Sequence, residues 1–454
     1  MDAAALGVAE SLSGRRWVWR EAEERLGLGI AERLGVPEIL GRILALRGVT
    51  MEGAGDFLAP TLRALMPDPS RLADMDRAAE RLAAAVAAGE TVAVFGDYDV
   101  DGACAGALLV SVLGALGVPV AAYVPDRIRE GYGPNPAALC RLVEGGARLI
   151  VCADCGSGAD EAFAAVAGRA EVIVLDHHKT GAPGPHRPPL LALVNPNRLD
   201  DGSGLGAVCA TAIAFLAMVA LLRLLRRRGF FAGRAGTGGA ATGGAATGSA
   251  GTGSAGTGRA EPDLLAWLDL VALATVCDVM PLSGLNRALV AQGLKVMARR
   301  LRPGLAALLS VAEVAGHPTA DSCGFALGPR INAAGRIAEA DLGLRLLLAP
   351  DADAALPLAR ALDAVNRQRQ QVETGVLEAA MAAAETQAEA GLPVLLVSGE
   401  GWHPGVLGIV AGRIKERFNR PACVAGHTVG TAKGSGRSVP GLDLGAAVLA
   451  ARQA

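Results

Sequence analysis

From about Glu90 to Asn195 the chain alternates two hydrophobic patterns. Short, continuous apolar runs rich in β-branched residues, TVAVFG, VPVAAYVP, ARLIVCADCG, EVIVLDHH and LLALVNP, are separated by Ala-rich stretches such as Ala103 to Leu116 and Ala159 to Ala167. Unbroken apolar runs bounded by turn residues are the mark of strands buried on both faces, and their alternation with helical stretches predicts a doubly wound α/β parallel sheet. Further on, LLAWLDLVALATVCDVMPL predicts an apolar helix that delivers Asp278 at its end. A long helix is expected from about Ala354 to Ala390, Arg- and Gln-rich around NRQRQQVE and without proline after Pro357. PVLLVSGEGWHPGVLGIVAGRIKERF then predicts a strand, a Gly-rich loop and a helix, the start of a second, smaller α/β domain. The expected organisation is a helical extension over 1–85, a sheet domain over 86–350, a connecting helix over 351–391 and a partial small domain over 392–454. Between Gly233 and Gly258 the sequence collapses into Gly, Ala, Thr and Ser with a five-residue repeat, so 232–260 is expected to be a low-complexity surface insertion.

Composition narrows this picture only a little. At 454 residues with 51% hydrophobic side chains the chain can bury a large core, and the 3% aromatic content reflects abundant Ala and Gly. The apolar stretch Gly204 to Leu222 stands alone and contains Cys209 and Thr211, so no membrane span is expected. The N-terminus lacks a basic start followed by an apolar core, which leaves the cytoplasm as the expected compartment. Eight cysteines are scattered through apolar segments, and the Cys152/Cys155 pair lacks a second pair that would complete a zinc site. A net charge of −2 decides nothing about polyanionic partners, since local patches set the field. The basic clusters Arg226 to Arg228, Arg299 to Arg302 and Arg413 to Arg420 read as solvated helix faces or helix C-terminal cations.

The chemistry lies at the strand ends. Asp97, Asp99 and Asp101 occupy alternate positions in GDYDVDG, Asp154 follows the third run, and Asp176-His177-His178 ends the fourth. Acids two apart at an extended strand end point to one side and repel unless cations lie between them. Carboxylates with one imidazole suit Mn²⁺ or Mg²⁺ better than a thiolate-seeking metal, and the excess of acids fits two ions sharing a carboxylate. Such a pair activates water and stabilises both oxygens of a phosphoryl displacement, so metal-assisted phosphodiester hydrolysis is the expected reaction.

GDYDVDG, ADCG, LDHH and VCDVMPL, in that order, resemble the four metal-site motifs of the DHH phosphoesterase superfamily. VPDRIREGYGPN, VNPNR, GPRINAAGRI, GWHPGVLGIVAGRIKE and GSGRSVPGLDLG are similar to segments of its RecJ family of single-strand-specific 5′ to 3′ DNA exonucleases, from Trp17 to the C-terminus outside the insertion. The resemblance implies a DHH-type sheet domain joined by the long helix to an incomplete DHHA1-type domain. It implies release of mononucleotides from single-stranded DNA in repair and recombination, with a single-strand-binding protein and a helicase as candidate partners. Asp97, Asp99, Asp101, Asp154, His177 and Asp278 would hold two Mn²⁺ or Mg²⁺ ions, with Asp154 bridging. His178 and Asp97 would be catalytic, His178 beside the scissile phosphate. Arg127, Arg330, Arg336, Ser435 and Arg437 would hold phosphates, and Tyr132 would stack a base. RecJ proteins usually continue into a GGH-containing stretch and an OB fold, so the resemblance also implies a C-terminally truncated chain. A small-substrate DHH phosphodiesterase acting on nanoRNA or cyclic dinucleotides, or a noncatalytic DNA-binding scaffold, are the alternatives.

Overall fold

The β-branched runs pair side by side. The structure is a computed structural model that describes residues 4–12, 14–21, 23–127, 129–180, 190–232 and 259–453, so the low-complexity stretch from Gly233 to Gly258 lies outside the described residues. Two compact units are present, one comprising Met1–Pro67 with Pro281–Gln292, the other Asp68–Met280 with Gly293–Ala454.

In the first unit, helices α1 (Glu24–Leu34) and α2 (Glu38–Leu46) cross closely. A Cβ at Gly41 would fall 2.1 Å from the Gly27 carbonyl oxygen, so only glycine permits the approach. Ile30, Leu44, Val49 and Ala54 close a small core there.

The second unit opens with α3 (Met75–Ala88), which leads into β1 (Val92–Gly96). After β1 come α4 (Val100–Ala115), β2 (Val120–Tyr123), α5 (Pro136–Glu144), β3 (Leu149–Ala153), β4 (Glu171–Leu175) and β5 (Leu190–Val194). The five strands are all parallel in the order β2-β1-β3-β4-β5, so the winding reverses between β1 and β3, where open α/β sheets bind their ligands. β1 and β3 are buried along their whole length, as their unbroken apolar sequences require. Phe95, Ile150, Phe163 and Val174 anchor one core cluster of the sheet. The apolar stretch from Gly204 forms α6 (Ala210–Arg227), which packs against α3 and α4 as a buried helix. Among the described residues no helix is long and apolar enough to cross a membrane.

α7 (Leu268–Cys277) ends at Asp278, and α8 (Gly328–Ile337) carries the GPRINAAGR segment. The long helix α9 (Ala352–Glu389) has 38 residues, a length of about 57 Å at ~1.5 Å per residue. Its first half buries Ala355, Ala359 and Leu362 against the sheet domain, and its second half buries Val376, Ala380 and Ala384 in the core of the smaller one. That smaller domain holds β6 (Leu395–Glu400), α10 (Pro404–Phe418), β7 (Ala422–Thr428) and β8 (Thr431–Arg437), with β6 parallel and β8 antiparallel to β7.

Each of the three basic clusters has members engaged in the fold. Arg226 pairs with Glu261 and Arg228 with Glu80, Arg302 grips Asp269 through two nitrogens, and Arg420 donates to the Ala388 and Leu392 carbonyls at the end of α9.

Candidate metal centre

The sheet register builds the centre. Gly96, Ala153, Leu175 and Val194 are aligned across β1, β3, β4 and β5. The ladder runs one residue further, since the amides of Asp97, Asp154 and Asp176 donate to the carbonyls of Ala153, Leu175 and Val194. Asp97, Asp154, Asp176 and Asn195 therefore form a row of polar side chains along the rim, each 4% exposed or less. Asp154 takes the left-handed region at φ 63, a conformation costly for a non-glycine residue and typical of functional sites. Val279, next to Asp278, is left-handed too at φ 57, which is rarer still for a β-branched residue.

Other elements complete the shell. Asp99 is the N-cap of α4, accepting from the Asp101 and Gly102 amides, so one carboxylate both starts the helix and faces the cluster. Asp101 is held by three donors of α6, the amides of Ala210 and Thr211 at 2.7 and 2.8 Å and the Thr211 hydroxyl, which lies 2.6 Å from its carboxylate and 2.9 Å from its carbonyl. Asp278 arrives from the C-terminus of α7.

Potential ligand atoms fall into three groups, each within 4.8 Å: Asp97, Asp99 and Asp154; Asp101, His177 and Asp278; and Asp154, His177 and His178. Asp154 and His177 are each shared by two groups. His177 Nε2 lies 3.3 Å from Asp154 Oδ1, 3.4 Å from Asp278 Oδ2 and 3.9 Å from Asp101 Oδ2. Asp97 Oδ1, Asp154 Oδ1 and Asp278 Oδ2 are buried with no hydrogen-bond donor. Buried carboxylate oxygens without donors are costly, and three converging in one place fit a cation partner. The oxygen-rich donor set with imidazole matches a hard divalent ion.

The electrostatics agree. Burial, then the Asp99 charge, pushes Asp97 up to about 8, and burial, then Asp101 and Asp99, pushes Asp278 up to about 7. Asp154 is driven far above the usual carboxylate range by burial and four neighbouring carboxylates. Burial lowers His177, which favours the neutral imidazole that a metal requires. His178 is raised, first by its 2.7 Å hydrogen bond to Asp176 Oδ1. That bond engages Nδ1 and turns Nε2 to other work. Tyr132 donates its hydroxyl to the Asp154 carbonyl and lies 3.1 Å from His178 Nδ1, with its ring edge-on to His178.

The cationic candidates divide. Arg127 stacks over the Tyr98 ring at 5.1 Å, and burial together with Arg127 and Arg369 lowers Arg336, which marks a concentration of guanidinium groups near Asp99. Arg336 also bonds the Gly405 carbonyl of the smaller domain at 3.1 Å. Ser435 and Arg437 adjoin on β8, 3.2 Å apart. Arg330 is instead tied to Asp363 at 2.9 Å and to the Ala326 carbonyl, and Asp363 also pairs with Arg367. Sequence reading did not single out Thr211 or Asn197 as site residues, because their partners are remote in sequence. A hydroxyl beside a helix start was the one available signal for Thr211.

Fold and site together define a DHH-type phosphoesterase. The DHH family N-terminal domain model matches residues 91–227, and the DHHA1 domain model matches 391–454. The single-stranded-DNA-specific exonuclease RecJ of Dickeya dadantii is 39% identical over 420 residues, 90% of this chain and 67% of that protein. The crystal structure of an exonuclease RecJ bound to manganese superposes with a TM-score of 0.66 at 32% identity, covering 83% of this chain and 85% of the other. RecJ from Thermus thermophilus in complex with Mn²⁺ gives 0.74 at 30% identity, over 94% of this chain and 56% of that one. The chain belongs to the RecJ family.

Proposed function

We propose that this protein is a divalent-metal-dependent exonuclease that hydrolyses single-stranded DNA from the 5′ end to mononucleotides. The observation that carries this reading is the set of three ligand groups linked through Asp154 and His177, with the unpartnered buried oxygens of Asp97, Asp154 and Asp278 among them. Two bound Mn²⁺ or Mg²⁺ ions supply an activated water and charge stabilisation for the displaced and attacking oxygens.

The chain's own groups do the rest. Asp97, Asp99 and Asp154 would hold one ion, and Asp101, His177 and Asp278 the other. Asp97 would also orient the attacking water. Its bond to Asp176 favours His178 as the imidazolium, which donates from Nε2 to the phosphate as negative charge builds there. Arg127 and Arg336 clamp phosphate on the sheet-domain side, and Ser435 and Arg437 on the small-domain side, since guanidinium forks match phosphate oxygens. Arg330 holds phosphate from beside them, its guanidinium oriented by its bonds to Asp363 and the Ala326 carbonyl. Tyr132 ties the Asp154 carbonyl and stands edge-on to His178, and its ring would stack a base. The activity serves DNA repair and recombination in the cytoplasm, with a single-strand-binding protein and a helicase preparing the strand.

The test is hydrolysis of a 5′-labelled single-stranded oligonucleotide with Mn²⁺, beside its duplex and its 3′-labelled twin, with Asp154→Ala as control. Early release of labelled mononucleotide from the 5′-labelled single strand, absent in the duplex and the control, is expected. Cleavage of dinucleotides alone would overturn the reading.

A further inference from the structure

The rim row has a fourth member, Asn195, that the chemistry above does not use. It is fully buried, and its amide nitrogen donates to the His178 carbonyl at 2.8 Å and to Ser157 Oγ at 2.7 Å. Its Oδ1 accepts from the Asn197 amide at 2.8 Å, which fixes the orientation of the side chain. Two residues on, Asn197 Nδ2 donates to the His177 carbonyl at 2.6 Å and to the Gly206 carbonyl at 3.0 Å. Gly206 leaves room for this, since a Cβ there would lie 2.7 Å from Asn197 Oδ1. Two asparagines from the end of β5 thus hold, one each, the carbonyls of the two adjacent histidines. The segment is itself rigid. Pro196 fixes the backbone between them, and buried Arg198 donates to Asp74, Asp200 and the Leu193 carbonyl.

We infer that Asn197 and Asn195 are positioning residues of the metal centre, Asn197 setting His177 as a ligand and Asn195 setting His178 toward the phosphate. A carbonyl held in place fixes the Cα of its own residue against the peptide plane that leaves it, so each asparagine aims the imidazole of the histidine whose carbonyl it holds, without touching substrate. The inference rests on the roles assigned to the two histidines under the proposed function. Because both asparagines donate to carbonyls, aspartate is the discriminating replacement. It keeps the shape and turns an attraction into repulsion.

The experiment is a Mn²⁺ titration of the full chain, read by the spin-resonance signal of free aqueous Mn²⁺, together with kcat and KM on single-stranded oligonucleotide. Outer partners of metal ligands are worth about 10–100-fold in affinity, so Asn197→Asp is expected to weaken one Mn²⁺ site by that factor. In a His177→Ala background the same substitution should change Mn²⁺ affinity less than about 2-fold, because a residue acting through His177 has nothing left to act on. Asn195→Asp is expected to lower kcat about 10–100-fold with Mn²⁺ affinity and KM within about 3-fold. Wild-type Mn²⁺ affinity in Asn197→Asp, or an undiminished loss in the His177→Ala background, would overturn the assignment. Should Asn197→Asp not fold, Asn197→Ser keeps a donor and is expected to bind Mn²⁺ between wild type and His177→Ala; affinity equal to wild type would count against it. A wild-type protein that leaves single strands intact would defeat the functional reading, while the Mn²⁺ titration would still decide the role of Asn197.

Discussion

Asp176 lies outside the three candidate ligand groups, and its contacts give it other work. Its oxygens accept from the amides of Ser157, His177 and His178 and from His178 Nδ1. Burial acts to raise it, but the His178 and Ser157 hydrogen bonds win and hold it below the usual carboxylate range. Asp154, in the neighbouring strand, has a buried oxygen with no donor and is pushed the other way. The two acids lie in one rim row and have opposite fates because one is surrounded by N–H groups and the other by carboxylates. Asp176→Asn keeps the shape but no longer stabilises the His178 imidazolium. It is expected to cut kcat on single-stranded DNA by about 100-fold, the usual worth of a positioned acid, while Mn²⁺ affinity by titration stays within about 3-fold. Loss of Mn²⁺ binding instead would make Asp176 a ligand.

At the level of elements, the centre depends on backbones that pass very close. A Cβ on Gly102, in the first turn of α4, would fall 2.5 Å from the Asp97 amide nitrogen and carbonyl oxygen. The exit from β1 and the entry to α4 are therefore pressed together, which brings Asp97, Asp99 and Asp101 into one small volume. Gly102→Ala is expected to destabilise the protein by ~1–3 kcal/mol, the usual cost of overpacking, and to abolish tight Mn²⁺ binding. Urea denaturation and metal titration check the two effects separately. A second close approach joins the domains carried by α9. A Cβ on Gly405, at the start of α10, would lie 2.4 Å from the Arg336 carbonyl oxygen. Gly405→Ala should push α10 away from α8 and separate Arg127 and Arg336 from Ser435 and Arg437, the groups proposed above to hold phosphate. KM for oligonucleotide is expected to rise about tenfold, since small displacements of binding groups are costly, with Mn²⁺ affinity unchanged. An unaltered KM would show that Ser435 and Arg437 do not share the substrate with Arg336.

On the scale of the whole molecule, what is legible in the sequence is whatever depends on near neighbours along the chain. Unbroken apolar runs give the parallel strands, and because a doubly wound sheet gathers its strand ends on one rim, Asp97, Asp154 and His177 can be grouped from the amino-acid order alone. The long helix, expected from Ala354 to Ala390, runs Ala352–Glu389. What escaped depends on remote partners: Thr211 reaches Asp101 across 110 residues and Asn197 reaches His177 across 20, while Arg330 also bonds Asp363, 33 residues away. No local pattern reports such pairs. The crowding of acids that made the site legible also couples it to stability. Asp97 at about 8 and Asp278 at about 7 stand above their ordinary value of 3.8, so without cation the folded chain binds more protons than the unfolded one across that interval. The stabilisation that protonation gives is fully present below about 4 and is lost as pH rises to 7 for Asp278 and 8 for Asp97. The metal-free protein should therefore lose melting temperature from about pH 6 to about pH 8.5. Mn²⁺ works in the opposite sense, since it binds the ionised carboxylates and releases their protons. A ligand at about a hundred times its Kd contributes about 2.7 kcal/mol, and with a Kd that tightens as pH rises, the Mn²⁺-induced rise in melting temperature should be larger at about pH 8.5 than at about pH 6. Calorimetry at both pH values, with chelator and with Mn²⁺, measures the difference directly. An increment independent of pH would mean that Asp97 and Asp278 are already ionised in the metal-free fold, and that something other than a cation balances their charge.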